Sequence, residues 1–185
     1  MQRVIAYVDG YNLYYGLRTK RWKWFYWLNV QSAARHLLKP HQKLVSTKYF
    51  TTVVKQPPDK RKRQAVYLEA LRTLNDFQIF YGHWLSNPIT CRKCGHTYRG
   101  YHEKMTDVNI AVELMCDAFQ EHLDMALLIS ADSDLVGPVN AIRREGGVKA
   151  MPLLTISGLR EVRVQHLVAF LLVGFIGFVQ HRVPV

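Results

Sequence analysis

Four aspartates stand where carboxylate chemistry can be done. Asp9 closes the apolar run Val4-Ile5-Ala6-Tyr7-Val8, and Asp132 and Asp134 follow a second run, Met125-Ala126-Leu127-Leu128-Ile129-Ser130. Asp107 opens an amphipathic stretch between them. Carboxylates at the carboxyl ends of parallel strands point into the crevice where open α/β sheets bind ligands. Like charges about 5 Å apart repel by roughly 3 kcal/mol per pair at an effective dielectric near 20. Three or four together need protons or a hard dication, and oxygen-only donors suit Mg²⁺ or Mn²⁺. In metal-assisted hydrolysis one ion lowers the pKa of a bound water and another clamps the leaving oxygen. Capping accounts for part of the same pattern. Asp and Ser favour helix N-termini, and a first-turn acid such as Asp107 is stabilised by the helix dipole.

The charge balance points to the substrate. The 185 residues carry 25 Lys and Arg against 14 Asp and Glu, a formal net charge of +11. That surplus favours a polyanion, nucleic acid ahead of an acidic membrane, and makes a phosphodiester the natural substrate. In Lys20-Arg21-Trp22-Lys23-Trp24-Phe25-Tyr26-Trp27 cations alternate with rings. Such a stretch can track a phosphate backbone while exposed rings stack on unpaired bases. Trp22 and Trp24 are the expected stacking residues, while Trp27 and Leu28 are expected to enter the core. Lys60-Arg61-Lys62-Arg63 opens a helix, where it can meet phosphate or form a solvated face.

Near the acids, the Asn12 amide can reach a phosphate oxygen or orient a ligand carboxylate. Gly10 permits the tight strand-to-helix turn that Asn12 requires. Lys104, three residues before Asp107, is a point charge for the scissile phosphate or a solvated loop lysine. Ser130 can hydrogen-bond within the site or satisfy its own strand end. No histidine is placed by sequence to make it a nucleophile.

Cys91-Arg92-Lys93-Cys94-Gly95 has the spacing of half a tetrahedral zinc site. His83, His96, His102 or a second chain in a homodimer are its potential partners, and a metal-free reducing loop is the other reading. Cys116 is expected to be a buried core thiol. Three cysteines do not make a disulfide framework, and Met1-Gln2-Arg3 leads straight into a strand rather than a secretory leader. The expected setting is cytoplasmic and reducing.

These residues need a scaffold, and the pattern supplies one. Strands are expected at residues 4–8, 45–54, 77–84, 125–130 and 148–151, from short runs rich in β-branched and aromatic residues. Helices are expected at residues 12–17, at 30–38 before Pro40, from Pro58 to about residue 74, at 107–121, and up to Arg143-Arg144-Glu145. The helix at 107–121 has an apolar stripe of Val108, Ala111, Val112, Met115, Ala118 and Phe119. Cys91 and Cys94 fall in a long loop. The alternation argues for a mainly parallel sheet with helices on both faces, in one domain.

Val8-Asp9-Gly10-Tyr11-Asn12-Leu13-Tyr14-Tyr15, Glu103-Lys104-Met105-Thr106-Asp107-Val108 and Ile129-Ser130-Ala131-Asp132-Ser133-Asp134-Leu135 stand in one order. In these three motifs the chain resembles the NYN domain family, its LabA-like branch, within the PIN-like metal-dependent ribonucleases. The resemblance implies a three-layer α/β/α sandwich over residues 1–157 and a Mg²⁺ or Mn²⁺ pocket acting on RNA. Carried onto this chain, the metal positions are Asp9, Asp107, Asp132 and Asp134, with Asn12 and Ser130 beside them. One scaffold hosts enzymes and binders alike, so a non-catalytic RNA-binding or scaffold module is the alternative.

Other aspartate chemistries fit less well. A phosphorelay receiver wants paired acids just after its first strand, where this chain has Asp9 alone. A haloacid-dehalogenase-type phosphatase wants a second Asp where Tyr11 stands. Residues 158–185 depart from the family pattern. Residues 167–179 are wholly apolar, and 13 of them fall short of the roughly 18–20 that span a bilayer. They suit a buried closing helix, a membrane-associated tail or sequence read in another frame.

Overall fold

Alternation along the first strand sets the layers. In β1 (Gln2–Asp9), Ile5 and Tyr7 pack into one apolar cluster while Val4, Ala6 and Val8 pack into another. A strand buried on both faces needs helices on both. The computed structural model describes residues 1–145 and 149–150.

From β1 the chain passes through α1 (Gly10–Thr19), a 3-10 turn at Lys23–Trp27 and α2 (Val30–Leu37). It returns as β2 (Gln42–Thr51), crosses by α3 (Pro58–Arg72) and returns again as β3 (Phe77–Tyr81). An antiparallel hairpin of β4 (His83–Thr90) and β5 (Thr97–Lys104) follows, then α4 (Thr106–Phe119) and β6 (Met125–Ile129). A 3-10 turn at Ser133–Leu135, α5 (Val136–Glu145) and β7 (Lys149–Ala150) complete the described chain.

The main sheet has the order β3-β2-β1-β6-β7, and every pairing is parallel. One core cluster joins Ile5, Tyr7, Phe50, Ala126 and Leu128 to Ile110 and Leu114 of α4 and Ile142 of α5. The other joins Val4, Val8, Tyr49, Leu127 and Ile129 to Val30 of α2 and Leu68 and Leu71 of α3. The molecule is the three-layer α/β/α sandwich expected. Strand order reverses between β1 and β6, so the carboxyl ends of these two strands flank the crevice where such sheets bind ligands.

Four expectations change. Residues 83–104 form a two-stranded sheet instead of a strand end and a long loop, and Trp84 belongs to β4. Most of β4 is exposed, so it lacks the apolar alternation that marks a strand by sequence. On α4 the buried stripe is Thr106, Ile110, Leu114, Asp117 and Ala118, while Val108, Val112 and Phe119 face out. Cys116 is exposed as well. The stretch 167–179 lies outside the described residues, as do both ends of the strand expected at 148–151. Among the described residues no helix is long and apolar enough to cross a membrane.

Asp117 is buried in α4 because the sheet provides its partners. The Tyr7 hydroxyl donates to its Oδ2 at 2.6 Å, and Lys48 Nζ of β2 lies 2.6 Å from the same oxygen. Lys48 also reaches Glu113 Oε2 at 2.7 Å. Burial opposes the charge on Lys48, yet hydrogen bonds to Asp117 and Glu113 outweigh it and leave its pKa raised. The contribution is therefore complete below the ordinary lysine value and is lost as pH rises through the higher folded one. Lys48→Met should cost about 3–5 kcal/mol in chemical denaturation, because it strands a buried carboxylate. A cost below about 1 kcal/mol would contradict the pairing.

Candidate active site

Asp9 is the last residue of β1 and the N-cap of α1, and only 1% of its surface is exposed. Its Oδ1 accepts the Asn12 backbone N–H at 3.0 Å, and its Oδ2 accepts the Asn12 side-chain amide. The Ser130 hydroxyl, just beyond β6, donates to Oδ2 at 3.0 Å. Two carboxylate oxygens offer about four lone-pair sites, and these three donors leave one open. Among the described residues no Lys, Arg or His forms an ion pair with Asp9.

Close packing fixes this corner. A Cβ added at Gly10 would overlap the Tyr49 ring and lie 2.9 Å from the Phe50 carbonyl oxygen. Gly10 is thus required by the approach of α1 to β2. It is not among the positive-φ glycines, so the expected conformational reason for it gives way to a steric one.

A relay runs from Asp9 to the other acids. The Asp132 backbone N–H donates to Ser130 Oγ at 3.1 Å, and Asp132 Oδ1 accepts the Asp134 N–H at 2.9 Å. The capping role open to Asp132 is therefore real, and it occupies one oxygen. Asp132 is half-buried and Asp134 exposed. Asp107 lies half-buried in the first turn of α4, a helix that packs against the turn carrying Asp134.

Asp9, Asn12, Ser130, Asp132 and Asp134 are thus hydrogen-bonded in series at the strand-order switch. Hydrogen bonds link Asp9 to Asp132 and Asp134, and Asp107 stands on the neighbouring helix. Among the described residues no three His, Cys, Asp or Glu are gathered closely enough to hold a metal ion as they stand. Both Asp9 oxygens and Asp132 Oδ1 accept local N–H and O–H donors. The donor chemistry nonetheless fits a hard dication, being all carboxylate and hydroxyl oxygen.

Around this corner, Lys104 ends β5 exposed, and the next residue, Met105, takes φ 80 to turn into α4. Trp24 is 85% exposed, whereas Trp22 is half-buried with its ring 6.2 Å from Phe25. Leu28 packs on the core as expected, while Trp27 stays at its margin, edge-on to Tyr67. Residues 60–63 are all exposed at the start of α3. Sequence reasoning passed over Tyr11, Tyr14 and Tyr15 of α1 and Trp84 of β4, whose rings are in contact. The spacing of Tyr11, Tyr14, Tyr15 and Arg18 along one helix face was the available signal.

Cys91 and Cys94 occupy the turn of the β4–β5 hairpin. Backbone N–H groups of Cys94 and Lys93, then the Cys94 thiol, hydrogen-bond Cys91 and hold its pKa below the ordinary thiol value.

The α/β/α sandwich around a parallel sheet is consistent with a PIN-like fold. The sequence matches the NYN domain family over residues 3–162, and the chain belongs to that family. It is 28% identical over 192 residues to a 6-hydroxy-3-succinoylpyridine 3-monooxygenase of Pseudomonas putida, covering 84% of this chain. The match spans 60% of that relative's own length. A solved Vibrio parahaemolyticus protein of unknown function shares the fold at TM-score 0.50 and 21% identity, over 80% of this chain and 78% of that one.

The lowered pKa of Cys91 has a direct readout. At neutral pH iodoacetamide should modify Cys91 faster than Cys94 or the exposed Cys116, as mass spectrometry of timed samples would follow. Equal rates at the three thiols would contradict the hydrogen-bonded turn.

Proposed function

We propose that the protein is a Mg²⁺- or Mn²⁺-dependent ribonuclease that hydrolyses RNA phosphodiester bonds in the cytoplasm. The observation that carries this is the Asp9 carboxylate, buried at the switch point and, among the described residues, met by neutral donors alone. Asp9, Asp107, Asp132 and Asp134 would hold the ions. When bound, a dication supplies Lewis-acid stabilisation of charge developing on phosphate and activates water at neutral pH.

The chain's own residues prepare that chemistry. Asn12 and Ser130 lock the Asp9 rotamer from both sides, so its open lone pair has a fixed direction. Asp132 is oriented through the same serine, which couples the ends of β1 and β6. Lys104 stands as a cation for the scissile phosphate, and the +11 chain draws the backbone in. Trp22 and Trp24 offer rings to unpaired bases, Trp24 from an almost fully exposed position.

Asp9→Asn should lower Mn²⁺-dependent cleavage at least 100-fold while leaving salt-sensitive RNA binding largely unchanged, as gel assays on labelled single-stranded and structured RNAs would measure. EDTA should stop the wild-type reaction and Mn²⁺ restore it. RNA binding without metal-dependent cleavage would instead establish a non-catalytic RNA-binding or scaffold module.

A second reading comes from the Pseudomonas relative, whose name assigns it oxygen insertion at a pyridine ring. On this chain the same crevice would then take a heteroaromatic small molecule together with an external reductant. Substrate-dependent oxygen uptake would favour it, and the large basic surplus favours RNA.

At the hairpin tip, Cys91 and Cys94 form half a zinc site, its first thiolate already stabilised by backbone donors. Two thiolates from a second copy would complete a tetrahedron. Protein purified without chelator should then carry about one zinc per two chains, and a zinc content near zero would remove the idea.

A further inference from the structure

Resting on the ribonuclease reading, we propose that one face of α1, headed by Trp84, is a stacking platform for unpaired bases of an RNA strand leaving the pocket. The rings form an unbroken series. Trp84 meets Tyr11 at 6.1 Å between centroids, Tyr11 meets Tyr15 at 5.7 Å, Tyr15 meets Tyr14 at 5.4 Å and Tyr14 meets Tyr26 at 5.2 Å. The Arg18 guanidinium lies 6.0 Å over the Tyr15 ring. Contact among side chains at i, i+3, i+4 and i+7 is what a helix face produces.

The series begins at the acids. Tyr11 is two residues from Asp9 and next to Asn12, both bound into the site. Trp84 is held at the hairpin root, where its indole N–H donates to the Val53 carbonyl at 2.7 Å. From Tyr11 to Arg18 the helix rises about 10 Å at 1.5 Å per residue. A stacked strand advances about 3.4 Å per nucleotide, so the face accommodates about three bases.

The core does not account for these rings. Tyr14 is 37% exposed and Tyr15 49%, and among the described residues their ring contacts are with each other, Tyr11, Tyr26 and Arg18. Contiguous, partly exposed aromatic surface of this kind suits an interaction site.

Charge selects the occupant. Between Asp9 and Asp59 the sequence has nine Lys and Arg and no Asp or Glu, and Lys20, Arg21 and Lys23 stand exposed just beyond the helix. Rings interleaved with cations match a single strand, whose bases present their faces. A duplex hides those faces in its own stack and would meet only the cations.

The test uses full-length Asp9→Asn protein, so that no RNA is cut, with fluorescence anisotropy on a labelled 12-nucleotide single strand and on the blunt duplex of the same sequence. Tyr15→Ala should weaken single-strand binding about tenfold and leave duplex binding unchanged. Tyr15→Phe, which keeps the ring, should bind the single strand like its parent. Equal weakening on both RNAs, no weakening for Tyr14→Ala and Tyr15→Ala combined, or failure of the Phe variant to bind would overturn the platform. So would a parent protein that does not bind the single strand, the outcome expected if the face receives a protein. Selective loss of single-strand binding without any metal-dependent cleavage by wild type would support the platform and remove the ribonuclease reading. Cleavage by wild type with ring-independent binding would do the reverse.

Discussion

A carboxyl group removed from water is expensive unless donors meet it, and this fold keeps one at the centre of its sheet. Asp9 sits at the end of the strand that both core clusters share, 1% exposed, with Asn12 and Ser130 as its side-chain partners. Those contacts come from the following helix and from the end of the neighbouring strand. Those neutral donors lower its desolvation cost. The surrounding architecture holds that side chain in place. Gly10 lets α1 approach β2, the parallel pairing of β1 with β6 brings Ser130 within 3.0 Å, and Ser130 in turn aligns Asp132.

A second buried polar group secures the other helical layer. Lys48, Asp117, Glu113 and Tyr7 fasten α4 to the two central strands, and Asp107 rides in the first turn of that helix. Polar contacts constrain direction as well as distance, so α4 has little freedom to slide along the sheet. The β4–β5 hairpin leaves the sheet just before α4 and returns at Lys104 and Met105. Its root bears Trp84 against α1, and its tip bears the cysteines away from the sheet. Acidic corner, aromatic face and hairpin root thus meet, which is also where the acid-free, basic part of the sequence begins.

The central strands were legible because each is an apolar run long enough for a strand and too short for a helix, closed by an acid or serine. Parallel pairing followed from helices falling between them. Asp9, Asn12, Ser130 and Asp132 were legible as one site because three motifs stood in a family's order, although hydrogen bonds rather than a carboxylate cluster join them. Other features depend on tertiary partners. The helix α4 carries two apolar stripes with the same periodicity, Ile110-Leu114-Ala118 and Val108-Val112-Phe119. Only the sheet beneath decides which is buried. Asp117 reads as a surface acid until Lys48 and Tyr7 are placed under it. The hairpin was missed because exposed strands have no face to alternate against.

Metal affinity in the absence of RNA separates the acidic corner from everything the basic surface does. Mn²⁺ titration followed by electron paramagnetic resonance would compare wild type with Asp9→Asn. The wild-type chain should bind Mn²⁺ saturably, and the Asp9→Asn variant should bind it far more weakly or not at all. Equal binding by the two proteins, or none by either, would overturn the metal site.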